Sequence, residues 1–111
     1  MRNQTVTYSP EATFSALADP TRRAVLDLLR KGRQPAGQIA SAFPMSRPAI
    51  SKHLRVLERA GLVRRSRDGR VSRCVLDATA LREAAEWVDR YRAFWTGRLD
   101  ELARYIEGTR S

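Results

Sequence analysis

The chain has 111 residues, 42% of them hydrophobic, with 21 Lys or Arg against 12 Asp or Glu, a formal net charge of +9. That length supports one small core rather than two, the composition argues against wholesale disorder, and the basic excess points to a polyanion, nucleic acid first and an anionic membrane surface second. No apolar run approaches the roughly 20 residues of a spanning helix, the polar opening Met1 to Ser9 lacks the apolar core of a signal peptide, and one cysteine excludes an internal disulfide and fits a reducing cytoplasm.

Residues 1–8 are expected to form a flexible arm, and 9–76 a DNA-binding module. Ser9-Pro10-Glu11 opens a first helix with a cap, a first-turn proline and an acid near the positive end of the dipole. Its apolar contacts are Phe14 and Leu17. Asp19-Pro20 repeats the start signal for a second helix through about Lys31, where Gly32 stops it and Val25, Leu28 and Leu29 mark the buried side. Arg22 and Arg23 sit at its beginning, where a structural role is favoured over DNA contact. Residues 36–43 make a short third helix broken by Pro44.

The next stretch, 46–61, has a sharp start and a sharp stop. Ser46 is a good N-cap, Pro48 lies in the first turn, and Gly61 supplies the left-handed residue that ends a helix. Ile50, Leu54 and Leu57 share one face and are expected to bury against Ile39 and Phe43. The opposite face carries Pro48, Ser51, Lys52, Arg55 and Arg59, with Arg47 on its shoulder. Short helix, turn, capped helix is the helix-turn-helix arrangement, and the second helix suits the major groove of DNA. His53 lies on its flank, where phosphate or base contact and plain packing are both open.

Leu62 to Arg67, then Asp68-Gly69, then Arg70 to Leu76 read as a two-stranded β wing, with Asp68-Gly69 as the two-residue turn. Residues 46–73 hold nine Lys or Arg against Glu58 and Asp68, a net +7 of the whole chain's +9. Charge meant for solubility would be spread more evenly; this pattern is the footprint of a phosphate-binding face. Cys74, on the second strand, lacks a partner thiol and reads as filler.

Residues 77–107 read as one long C-terminal helix followed by a tail at 108–111. Leu81, Ala84, Val88, Tyr91, Trp95, Leu99, Leu102 and Ile106 recur at alternating threes and fours, close to a heptad stripe. Gly97 interrupts it at about 1 kcal/mol relative to alanine. The segment's net charge is −2, so it is not the DNA surface. Its aromatic seam exceeds what so small a core can cover. The expectation is a two-fold dimer through the N- and C-terminal helices, using Phe14, Leu17, Val88, Tyr91, Trp95, Leu99, Leu102 and Ile106.

Three runs in order then become telling: Phe14-Ser15-Ala16-Leu17-Ala18-Asp19-Pro20-Thr21-Arg22-Arg23, Ser46-Arg47-Pro48-Ala49-Ile50-Ser51-Lys52-His53-Leu54, and Leu57-Glu58-Arg59-Ala60-Gly61-Leu62-Val63. Together they closely resemble the ArsR/SmtB family of bacterial winged-helix repressors, over about residues 11–107. The resemblance implies a mainly α, winged helix-turn-helix homodimer that binds operator DNA, often at its own promoter. It carries the DNA contacts onto Arg47, Pro48, Ser51 and Lys52, with the wing near Arg65, Arg67 and Arg70; Ser46, His53 and Arg55 complete the candidate set. The family often has glutamine and serine where this chain has Arg47 and Pro48, which leaves the base preference open. Metal-responsive members carry a cysteine pair in the helix that here reads Gln38-Ile39-Ala40-Ser41-Ala42, and others use Asp, His and Glu on the last helix. One His and one Cys in the whole chain do not supply the several N or S donors of such sites. The chain looks instead like members without metal ligands, whose last helix is rich in Trp, Phe and Leu. No metal or cofactor is expected.

No glycine-rich phosphate loop, paired nucleophile and base, or ligand cluster supports an enzyme. The expected partners are double-stranded operator DNA and a second copy of the chain, with no membrane, and the expected location is cytoplasmic and nucleoid-associated. Two alternatives stand beside this reading: a regulator with a small-molecule pocket at the dimer interface, and a winged-helix protein-interaction module.

Overall fold

A computed structural model describes residues 9–108, except the side chain of Trp95. The arm at 1–8 and the last residues of the tail, 109–111, lie outside the described residues. The elements run α1 (Pro10–Leu17), α2 (Pro20–Leu29), β1 (Gln34–Pro35), α3 (Ala36–Ser41), α4 (Arg47–Arg59), β2 (Val63–Asp68), β3 (Val71–Leu76), α5 (Thr79–Asp89) and α6 (Arg92–Gly108).

The helix starts fall where the capping residues put them. Ser9 Oγ accepts from the Ala12 amide at 3.0 Å, Asp19 Oδ1 from Thr21 and Arg22 at 2.8 and 3.1 Å, and Ser46 Oγ from Ala49 at 3.3 Å. Each satisfies first-turn donors that the helix itself leaves unpaired. Val25, Leu29, Ile39, Ile50, Leu54 and Leu57 form the centre of one core. Phe43 packs on its edge, so α3 and α4 are locked together by the contacts their apolar faces anticipated.

The sheet has three antiparallel strands in the order β1-β3-β2, one more than the two-stranded wing anticipated. Gln34 and Pro35 pair with Cys74 and Arg73, a segment too short for alternation to announce. The hairpin turn is also one residue later than expected. Asp68 pairs with Val71, so Gly69 and Arg70 are the central residues. Gly69 has φ of +65° and no non-glycine residue described has positive φ. Glycine alone taking positive φ at the first central position is the II′ pattern, whereas Asp68-Gly69 as a I′ turn would require it of aspartate too.

The C-terminal segment is two helices rather than one. After Asp89 the chain tightens: the Tyr91 amide donates to Val88 at 2.9 Å, and Arg90 splits its amide between Glu86 and Trp87. Ring packing flanks the elbow. Trp87 stands edge-on to Phe14 with centroids 5.7 Å apart, and Tyr91 leans back on Trp87 at 5.1 Å. A 2.7 Å Arg92–Asp89 ion pair spans the elbow. Gly97, the expected interruption, lies inside α6 without breaking it. Every α6 side chain described is exposed. The chain therefore measures 67 × 30 × 21 Å with a radius of gyration of 18.7 Å, against about 13 Å for a compact chain of about this length.

Candidate nucleic-acid interface

Helix α4 presents its core face inward and its polar face outward. Ile50, Leu54 and Leu57 are buried, while Ser46, Arg47, Pro48, Ser51, Lys52, Arg55 and Arg59 are exposed. Its end is equally well defined. The Leu62 amide donates to Leu57 at 2.9 Å and the Gly61 amide to Glu58 at 3.0 Å, with Gly61 at φ +78°. This is a Schellman ending, complete with its apolar contact, because Leu57 and Leu62 are both buried. Three residues, 60–62, carry the chain from α4 straight into β2.

The arginines of the wing separate into two groups. Arg64 pairs with Asp77 at 3.2 Å, Arg65 with Glu58 at 2.9 Å, and Arg73 with Asp68 at 3.6 Å. Arg67 and Arg70, near the hairpin tip, are exposed and have no acidic partner among the described residues. On α4 the same holds for Arg47, Lys52, Arg55 and Arg59. Alternation along β2 puts Arg67 on the face from which Arg65 reaches Glu58 of α4. Within 46–73, the cations left without an acidic partner among the described residues thus belong to α4 and the tip of its neighbouring ribbon.

Two of the sequence candidates are held inside the chain. Arg65 braces the buried Glu58 and so ties wing to helix. His53 is half-buried, and its Nδ1 lies 3.3 Å from Nη1 of Arg22. Arg22 is itself anchored, donating from Nε to the Ala16 carbonyl at 2.6 Å and from Nη2 to Ser15 at 3.1 Å. Arg23 donates to the Leu17 carbonyl at 2.7 Å. Both arginines thus have the structural role the sequence favoured, closing the unpaired carbonyl end of α1. Neither the Glu58–Arg65 brace nor the Arg22–His53 contact had a signal in the sequence, since each joins residues on different elements.

Asp19, at the same corner, is held below the ordinary carboxylate range, chiefly by the Arg22 amide; desolvation opposes this, and the Thr21 amide and the charges of His53 and Arg22 add to it. Asp77 is lowered by the Thr79 amide, again against desolvation, with the Thr79 hydroxyl and Arg64 contributing. Cys74 is buried opposite Arg65; burial pushes its thiol up, Arg65 pulls it back, and Glu58 adds to the rise. A thiol so placed is a poor nucleophile. Among the described residues no three His, Cys, Asp or Glu side chains gather as a metal site would require.

Of the residues expected at a subunit contact, Leu17 is half-buried against the chain's own core. Phe14, Val88, Tyr91, Leu99, Leu102 and Ile106 are exposed, Leu99 to 64%. Trp95 lies outside the residues whose side chains are described.

Residues 17–66 match the model of a helix-turn-helix domain family. The chain is 41% identical to the transcriptional repressor SdpR of Bacillus subtilis over 75 residues, which cover 68% of this chain and 83% of that one. It superposes on the crystal structure of an ArsR family transcriptional regulator, RHA00566, with a TM-score of 0.71 and 35% identity over 78% of this chain and 94% of that one. It is also similar to the solution structure of the homodimeric winged helix-turn-helix DNA-binding domain of Mb0332 from Mycobacterium bovis, with a TM-score of 0.57 and 31% identity over 82% and 78% of the two chains.

Proposed function

Because the chain belongs to the ArsR/SmtB family of winged helix-turn-helix transcriptional repressors, we propose that it binds operator DNA as a homodimer, with α4 in the major groove and the wing tip against the flanking phosphates. The base-facing residues are Arg47, Pro48, Ser51 and Lys52 near the start of α4, where Ser46 holds the first turn. Arg55, Arg67 and Arg70 take phosphates. Arg65 and His53 act from behind this surface. The observation that carries the reading is the sorting of charge within 46–73: cations on α4 and the wing tip have no acidic partner among the described residues, while Arg64, Arg65 and Arg73 are paired.

The C-terminal unit, 77–107, supplies the subunit contact. Its exposed Val88, Tyr91, Leu99, Leu102 and Ile106 form an apolar surface that a lone chain leaves in water. The homodimeric state of the Mb0332 domain supports the same assembly. Two copies set the recognition helices about one DNA turn apart, roughly 34–36 Å. The only N and S side-chain donors of the strong metal sites are engaged elsewhere: His53 Nδ1 faces Arg22 and Cys74 is fully buried. Control by a thiophilic ion therefore has no ligand set to work through. This regulator belongs in the cytoplasm, at the nucleoid, and performs no catalysis.

One observation favours the small-molecule variant of this reading. Trp87, Val88, Tyr91 and Phe94 line an apolar recess of about 300 Å³ at the α5–α6 elbow, on the surface assigned to the subunit contact. Footprinting on DNA around its own gene tests the reading. A protected inverted repeat, with affinity falling steeply with salt, is the expected result; salt-insensitive binding or no protected site counts against it.

A further inference from the structure

Helix α2 carries a charged face of its own. Arg23, Asp27 and Arg30 recur at spacings of four and three, which stacks them on one side of the helix. Beneath them lies a recess of about 300 Å³ floored by four leucines: Leu26 of α2, Leu17 at the end of α1, Leu76 at the end of β3 and Leu81 in the first turn of α5. Leu26 is buried, and the other three are half-buried on the outer edge of the core. The recess therefore lies across the junction of the winged-helix module and the C-terminal unit. It shares no lining residue with the recess at the α5–α6 elbow.

The rim of this recess holds charge that the chain leaves unspent. Asp27 stands four residues from Arg23 and three from Arg30, yet forms an ion pair with neither. Arg23 spends Nη1 on the Leu17 carbonyl at 2.7 Å. Arg30 is exposed and has no acidic partner among the described residues. Two cations against one anion leave the rim net positive above a hydrocarbon floor. Arg30, at the C-cap of α2, also complements the negative end of the helix dipole, a role that asks for no recess beside it. We infer that this recess is a binding site for a single-chain aliphatic carboxylate, its tail laid on Leu17, Leu26, Leu76 and Leu81 and its headgroup paired with Arg30. A volume at the small end of ligand sites suits one short chain rather than a two-chain lipid. The elbow recess offers only apolar and aromatic walls, with no cation on its lining to select an acid.

The test is an NMR titration of the full chain, free of DNA, following amides and leucine methyls. The probes are hexanoate, octanoate and decanoate, with octanol and octylamine as the neutral and cationic counterparts of octanoate. Expected are saturable shifts centred on Leu17, Leu26, Leu76 and Leu81, and octanoate binding ahead of both counterparts. Affinity should rise by about fourfold per methylene while the tail still finds floor to cover. Arg30→Gln should weaken octanoate by about two- to fivefold, and Asp27→Asn should strengthen it by a similar factor. Both side chains are exposed, so each variant should keep the wild-type spectrum away from the recess.

Shifts gathered on Trp87, Val88 and Tyr91 instead would overturn the inference, as would octanol or octylamine binding as tightly as octanoate. An R30Q chain that melts earlier but binds octanoate unchanged returns Arg30 to the helix end alone and overturns it too. The titration contains no DNA, so its outcome is independent of where α4 docks.

Discussion

The polar face of α4 and the apolar face of α5 and α6 are both left exposed, but for opposite reasons. Helix α4 is fastened along its whole length, by Ser46 at its start, Ile50, Leu54 and Leu57 along its core side, and Gly61 at its end. What it exposes is charge that no acid among the described residues answers. Helix α6 has every described side chain exposed, and what it exposes includes hydrocarbon and aromatic ring. A rigid helix with spare charge can impose its shape on a polyanion. An extended helix with spare apolar surface calls instead for a partner surface, which the proposed reading assigns to another copy. On the proposed reading the first face reads DNA and the second pairs two copies of the chain.

The sharpest way to break this division is Leu99→Asp. Placing a charge in the apolar seam should split the dimer in analytical ultracentrifugation and lower operator affinity by at least about 100-fold through lost avidity. A dimer that survives moves the subunit contact elsewhere. Next in size is Arg65→Ala, which leaves the buried Glu58 carboxylate without its partner. Denaturant unfolding should show a loss of about 1–3 kcal/mol, with the wing loosened from α4; unchanged stability would mean Glu58 needs no brace.

Lys52→Ala and Arg47→Ala should each weaken operator binding by about five- to tenfold and leave the melting temperature unchanged. If the lost contact is to a phosphate, the slope of log affinity against log salt should also shallow by about 0.9 per contact. Two silent variants would remove α4 from the interface. The smallest effect belongs to the half-buried aspartates at the helix starts. Asp19 and Asp77 have lowered pKa values in the folded chain, so their contribution to stability is fully present above the unfolded aspartate value of about 3.9 and is lost as pH falls below it. The melting temperature should hold from pH 7 to 5 and drop below about pH 4, with Asp77→Ala flattening part of that drop. Arg64→Ala, at the exposed partner of Asp77, should cost no more than about 1 kcal/mol.

What could be read from the chain before folding was whatever depends on neighbours in sequence. Ser9, Asp19 and Ser46 announced three helix starts because a cap acts within three residues. Gly61 announced a stop for the same reason, and the apolar spacing of Ile50, Leu54 and Leu57 gave the inward face of α4. The elbow at Arg90 and Tyr91 escaped because neither residue breaks helices, and the ring contact beside it joins Trp87 to Phe14, some seventy positions earlier. The hairpin turn slipped by one residue because Asp68-Gly69 and Gly69-Arg70 both place glycine where positive φ is allowed, and only cross-strand pairing chooses between them. In the candidate interface the residue types were legible, but not which arginines were already spent. Arg65 and Arg67 look alike in sequence; Glu58, folded beneath one of them, makes the difference.

The three-residue passage at 60–62 has a consequence for the duplex. With Gly61 and Leu62 buried and Arg65 clamped to Glu58, prong and ribbon are tied together, so in the proposed complex the protein acts as a gauge of nearly fixed span. Any mismatch with groove width must be absorbed by bending or twisting of the DNA, at a cost that depends on how pliant the intervening base steps are. Sites should therefore be ranked partly by base pairs the protein never touches.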